Sequence, residues 1–132
     1  MDAFTKSESD YIKKIDDSRL ATISPKGWPQ VTPIIHAFDG KCFYTAIDFG
    51  TQKAKNIESN NRVALVVDRY ERTPSAVIVQ GTAELFKEGK EFSHGYKLLH
   101  ERHAYYRANP FKENEAYIVK ITPATKKSWG IK

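Results

Sequence analysis

The chain has 132 residues, 40% of them apolar, with 21 basic and 16 acidic side chains for a formal net charge of +5. That suits one globular domain over residues 1–132 with a sizeable core, and it excludes a disordered polypeptide. No apolar run approaches the ~20 residues that span a bilayer, the acidic, polar MDAFTKSESD is no secretory leader, and the single cysteine, Cys42, rules out an intrachain disulfide, so a cytoplasmic protein is expected.

Ser7–Asp17 reads as a short helix: Ser7 or Ser9 caps it, acids fill its first turn, and Tyr11, Ile12 and Ile15 share one stripe. Arg19–Ser24 is strand-like, Pro25-Lys26-Gly27 is a turn, and Gln30–Phe38 is a second strand. In that strand Val31, Ile35 and Ala37 take one face, while Thr32, Ile34, His36 and Phe38 take the other. Asp39-Gly40 is the strongest hairpin signal in the chain, and Lys41–Ala46 returns as a third strand containing Cys42 as a small buried hydrophobe.

Thr51–Asn60 is a short helix with Ala54 and Ile57 on its buried side. Arg62–Arg69 is almost continuously apolar, so cover on both faces is expected. Ser75–Phe86 is a long strand in which Val77, Val79, Ala83 and Leu85 oppose Ile78, Gln80, Thr82 and Glu84. Gly81 inside it predicts a bulge or a close backbone approach. Gly89–Arg107 is the longest helix candidate, stopped by Asn109-Pro110. Ala116–Ile121 is a last clear strand, and Lys127–Ile131 reads as a further short one. Six or so strands, hairpin-linked at first, predict a mainly β chain: a small antiparallel barrel with helices packed outside.

The stretch TAIDFGTQKAKNIE, residues 45–58, carries the most chemistry. The first N–H groups of a helix lack partners and sit at the positive end of its dipole. A phosphate can accept from them, from the Thr51 hydroxyl and from the Lys53 ammonium, with Tyr44 and Thr45 supplying nearby hydroxyls. The competing reading makes Thr51 a plain N-cap and Lys53 a solvated lysine.

Four stretches in order, LATISPKGWPQVTPIIHAFDGKCFYT (20–45), GTQKAKNIESNNRVALVV (50–67), VQGTAEL (79–85) and ITPATKKSWG (121–130), resemble the FMN-binding split-barrel family typified by pyridoxamine 5'-phosphate oxidase, with its flavin and deazaflavin reductase relatives. The resemblance implies an antiparallel split β-barrel with flanking helices, working as a homodimer with FMN, or the factor-420 deazaflavin, between subunits. It implies that Val31, Thr32, Pro33 and Ile34 run beside the flavin ring and that Tyr44 and Thr45 lie near the ribityl-phosphate. It also implies that Thr51, Gln52 and Lys53 hold the phosphate, while Gln80 and Trp129 reach the ring, often from the other subunit. The vitamin oxidase carries basic residues at both ends of its second strand; here those ends are Val31 and His36, which argues against pyridoxamine phosphate as substrate. The expected activity is oxidation or reduction of a small molecule, and the alternatives are a flavin carrier or a barrel that serves as a partner module.

Other constellations are weaker. His94, His100 and His103 lack the Cys or acid that would complete a metal site, so no metal is expected. Tyr96, Tyr105, Tyr106 and Arg107 mix rings with charge, but at helical spacing they read as packing, and the modest net charge argues against nucleic acid. Hydride transfer at a flavin asks little of side chains, so no catalytic dyad is assigned.

Overall fold

The computed structural model describes residues 1–131. The elements run α1 (Lys6–Lys14), β1 (Asp17–Ile23), β2 (Pro29–Ile35), β3 (Ala37–Phe38), β4 (Phe43–Ile47), α2 (Gln52–Ser59), β5 (Arg62–Tyr70), β6 (Pro74–Phe86), α3 (Lys90–Arg102), α4 (Ala104–Ala108) and β7 (Tyr117–Trp129). One antiparallel sheet holds all seven strands in the order β2-β1-β5-β6-β7-β4-β3. Its two edge strands are consecutive in the chain, so the sheet curls until its edges meet at His36, which is a split barrel.

That corner corrects the single strand expected over Gln30–Phe38. Pairing passes from β1 (Asp17 opposite Ile35) to β4 (Ala37 opposite Tyr44), and His36 turns between them. Its imidazole is 2% exposed and both nitrogens are engaged: Nε2–H donates to Ile12 O at 3.0 Å, which leaves Nδ1 to accept from Ser18 Oγ at 2.9 Å. Across the seam, Thr45 Oγ1 donates to Ile35 O at 2.8 Å.

Inside the curl lie Leu20, Ile34, Phe38, Phe43, Leu65, Val79, Val119 and Ile121, joined by Ile12 and Ile15 of α1 and by Ala54 and Ile57 of α2. A second cluster, with Ala37, Tyr44, Phe92, Leu99, Tyr106 and Ile118, packs α3 and α4 on the outside. Phe43 and Tyr44, adjacent in β4, serve the two clusters because strand side chains alternate.

Several boundaries differ from expectation for local reasons. α1 starts earlier because Thr5 and Glu8 form a reciprocal capping box that neither Ser7 nor Ser9 matches. The expected helix over Gly89–Arg107 breaks at His103, whose Nε2–H donates to His36 O. The two strands expected after Ala116 are one, β7: Gln80 faces Thr125 while Gly81 faces Pro123, so Ala124 is an extra residue. That bulge accommodates Pro123 inside a strand. Gly81 also meets the expected close approach, since a Cβ there would stand 2.2 Å from Thr122 O. β5 is buried on one face only: Val63, Leu65 and Val67 are covered, whereas Ala64, Val66 and Asp68 are half-exposed on the outer face. Cys42 is half-buried in the hairpin turn before β4 rather than within the strand; its N–H donates to Asp39 Oδ1. Among the described residues no helix is long and apolar enough to cross a membrane.

Candidate cofactor-binding site

The start of α2 is set by its sequence. Gly50 takes φ +77°, a conformation that favours glycine, and Thr51 then caps the helix. Thr51 Oγ1 accepts from Ala54 N–H at 3.3 Å and donates to Asp48 O at 3.1 Å, so its proton is already committed. No acid occupies the first turn. Lys53, in that turn, is half-buried and makes no hydrogen bond or ion pair among the described residues; burial lowers its pKa. A cation at this end of a helix opposes the dipole. An unpaired, partly desolvated lysine among free helix N–H groups is a site that an anion would stabilise.

α2 is locked to the first hairpin by Asn56, which is fully buried. Its Nδ2 donates to Thr22 Oγ1 at 2.9 Å and Gln30 Oε1 at 3.1 Å, and its Oδ1 accepts from Gln52 Nε2 at 2.7 Å. Gln52 is therefore spent on the helix's own clamp. Asn56 was missed in the sequence; the available signal was an amide between Ala54 and Ile57 on the buried side of a helix.

A groove lies outside the sheet over β1, β5, β6 and β7. Register places Val31, Ala21, Ala64, Gln80 and Thr125 in one cross-strand row, with all five side chains on the outer face. The cavity there measures about 460 Å³ and is lined by Ala21, Ile23, Pro29, Arg62, Ala64, Gln80, Thr82 and Thr125 with neighbouring residues, within the common range for small-molecule sites. Small side chains make its floor. Gln80 Oε1 accepts from Thr125 Oγ1 at 3.2 Å, which leaves the Gln80 amide N–H groups free to donate. Sequence reasoning found Gln80 but not Ala21, Ala64, Arg62 or Thr125, whose types carry no local signal.

The other expected residues divide. Val31 is 64% exposed at the end of the row, and Pro33 is exposed one pleat further on. Thr32 and Ile34 point inward; Ile34 is core, and Thr32 Oγ1 is buried with no partner among the described residues. Tyr44 is buried under α3, with its hydroxyl donating to Asp39 Oδ2 at 3.3 Å, and burial raises its pKa. Thr45 is buried at the seam. Both of their hydroxyls are thus engaged within the protein. Trp129 is exposed on the same outer face, four residues beyond Thr125, about 13 Å at the usual strand rise. It does not line the groove of its own chain.

Among the described residues the groove lining holds no His, Cys, Met, Tyr, Asp or Glu, so these supply neither a general acid–base pair nor a usual metal ligand. Among the described residues no group of three metal-ligating side chains converges anywhere. Hydrogen-bond donors around an apolar floor suit the positioning of a planar ring.

A family model described as pyridoxamine 5'-phosphate oxidase matches residues 5–129. The chain is 34% identical over 94 residues to the 5a,11a-dehydrotetracycline/5a,11a-dehydrooxytetracycline reductase of Streptomyces rimosus; the match covers 65% of this chain and 66% of that protein, just under two thirds of its length. Its fold is similar to that of the conserved hypothetical protein Rv2991 of Mycobacterium tuberculosis (TM-score 0.79, 24% identity, 96% of this chain and 84% of that one). It is also similar to that of HutZ, the heme storage protein of Vibrio cholerae (TM-score 0.78, 13% identity, 93% and 91%). At these identities the structural likeness speaks for the fold alone.

Proposed function

From the premise that the chain belongs to the pyridoxamine 5'-phosphate oxidase family, we propose that it is an oxidoreductase that binds FMN, or the factor-420 deazaflavin, and acts on a small planar molecule. The observation that carries this reading is Lys53: a half-buried, unpaired cation in an acid-free first turn fits the phosphate of a nucleotide-like cofactor. The outer groove fits the ring. Ala21 and Ala64 would allow close approach to the sheet, and the Gln80 amide, its oxygen held by Thr125, would be free to donate to a ring carbonyl. Asn56 holds the phosphate end and the ring end in fixed relation through Gln30 and Thr22.

When bound, a reduced flavin or deazaflavin supplies a hydride. The chain's residues bind and orient it against the outer face of the sheet. The reductase relative supports the reducing direction. Pyridoxamine phosphate is not favoured, because Val31 stands where a basic residue would serve and His36 is buried with both nitrogens engaged. The heme-storage neighbour favours no heme reading here, since the groove offers no axial ligand.

A homodimer completes the site in this proposal. Trp28 is 73% exposed and Val31 64%, both on the hairpin that borders the groove, and Trp129 lies too far along β7 to serve its own groove. A second copy would cover the first two and supply the third. Visible absorption of the purified protein, followed by release and mass analysis of any chromophore, distinguishes FMN, deazaflavin and an empty carrier; bleaching by NADPH distinguishes an enzyme from a carrier. A colourless protein that takes up neither cofactor overturns the reading.

A further inference from the structure

We propose that the outer groove selects an acceptor bearing an anionic oxygen, a carboxylate or ionised enol, and that Arg62 is the specificity-determining residue that reads it. The proposal deepens the oxidoreductase reading by naming the substrate class. Arg62 opens β5 on the outer face, one pleat from Ala64, and lines the cavity beside the small-residue floor. Its guanidinium makes no hydrogen bond or ion pair among the described residues, and its cross-strand neighbour is Thr82. Among the described residues no carboxylate lines the groove. The next arginine on the same face, Arg19, is neutralised by Asp68 at 2.9 Å, so among the described residues Arg62 is the one uncompensated charge at the cavity. The hydroxyls of Thr82 and Thr125 and the Gln80 amide add neutral polar groups around it. A planar acceptor stacked over a cofactor ring on the Ala21–Ala64 floor, or lying on that floor when the cofactor is absent, would bring a substituent at its edge within reach of a planar, bidentate donor, the geometry an oxyanion satisfies best.

Two ring compounds of equal shape test this: naphthalene-2-carboxylate and naphthalene-2-carboxamide, titrated into the full chain with and without FMN and followed by the backbone amide shifts of Ala64, Thr82 and Thr125. The carboxylate should bind about tenfold or more tighter than the amide. Arg62→Gln should abolish that preference, Arg62→Lys should keep part of it, and FMN affinity should stay within about twofold, because Arg62 reads the acceptor. Equal binding of the two probes overturns the proposal. So does a preference that survives Arg62→Gln, or a parallel loss of FMN affinity, which would assign Arg62 to the cofactor. Failure of FMN to bind at all would sink the flavin reading alone, since the probe pair reads the groove without it.

Discussion

Replacing Lys53 by alanine should move stability and affinity in opposite directions. Lys53 stands in the first turn of α2 with no acid beside it, and burial lowers its pKa. In the unliganded protein it therefore opposes the helix dipole. Its removal should be neutral or stabilising by ~0.3–1 kcal/mol, a rise of roughly 1–5 °C in Tm for a domain of this size. With FMN present, the same change deletes a charge-assisted hydrogen bond worth about 1.5–3 kcal/mol, so Kd should rise about 10- to 150-fold. Riboflavin, which lacks the phosphate, supplies the control: its affinity should not change. Thermal melts of the unliganded protein and quenching of flavin fluorescence read both quantities. An alanine variant that melts lower by several degrees and binds FMN as before would refute the reasoning and make Lys53 an ordinary packing residue.

Three further outcomes follow from the packing and the buried charges. Asn56→Ala should cost about 2–4 kcal/mol in urea unfolding, since it leaves Thr22, Gln30 and Gln52 without their shared partner. Gly81→Ala should cost roughly 2 kcal/mol or more by the same assay, because its Cβ would stand 2.2 Å from the Thr122 carbonyl oxygen and the bulged strands would have to part. Glu8 governs part of the acid limb. Burial alone would raise its pKa, but Lys126, Ser128 and the Thr5 N–H outweigh that and hold it down to about 2 from an ordinary 4.5. A depressed carboxylate stabilises the fold above its unfolded pKa and loses that contribution as pH falls through the folded one. Glu8→Gln should therefore cost up to ~3 kcal/mol at neutral pH, and the gap to the parent should close between about pH 4.5 and about pH 2. Urea melts across that range check it; a gap that stays constant with pH would show that Glu8 acts through packing alone.

Much of the fold was legible because its signals are local. Asp39-Gly40 marks a hairpin, Thr51 caps α2, and Gly81 marks both a bulge and a close approach. What escaped was set by distant partners. The alternation from Gln30 to Phe38 runs unbroken through His36, and the break there is made by Ser18, Ile12 and His103, none of them near in sequence. Ala116–Ile121 and Lys127–Ile131 read as two strands, yet the extra residue Ala124 absorbs Pro123 within one ladder. The candidate site divides in the same way. Lys53 and Gln80 stand in recognisable stretches, whereas Ala21, Ala64 and Thr125 are ordinary residues that only strand register brings into one row. Tyr44 sits in a recognisable stretch too, but the alternation of β4 turns its ring under α3.

The most direct measurement of the central claim is a crystal structure of the protein grown with FMN. The account predicts the phosphate within about 3 Å of Lys53 Nζ and the ring against Ala21 and Ala64, with Gln80 donating to it. A phosphate bound away from α2, or a groove filled by something other than the ring, would contradict it.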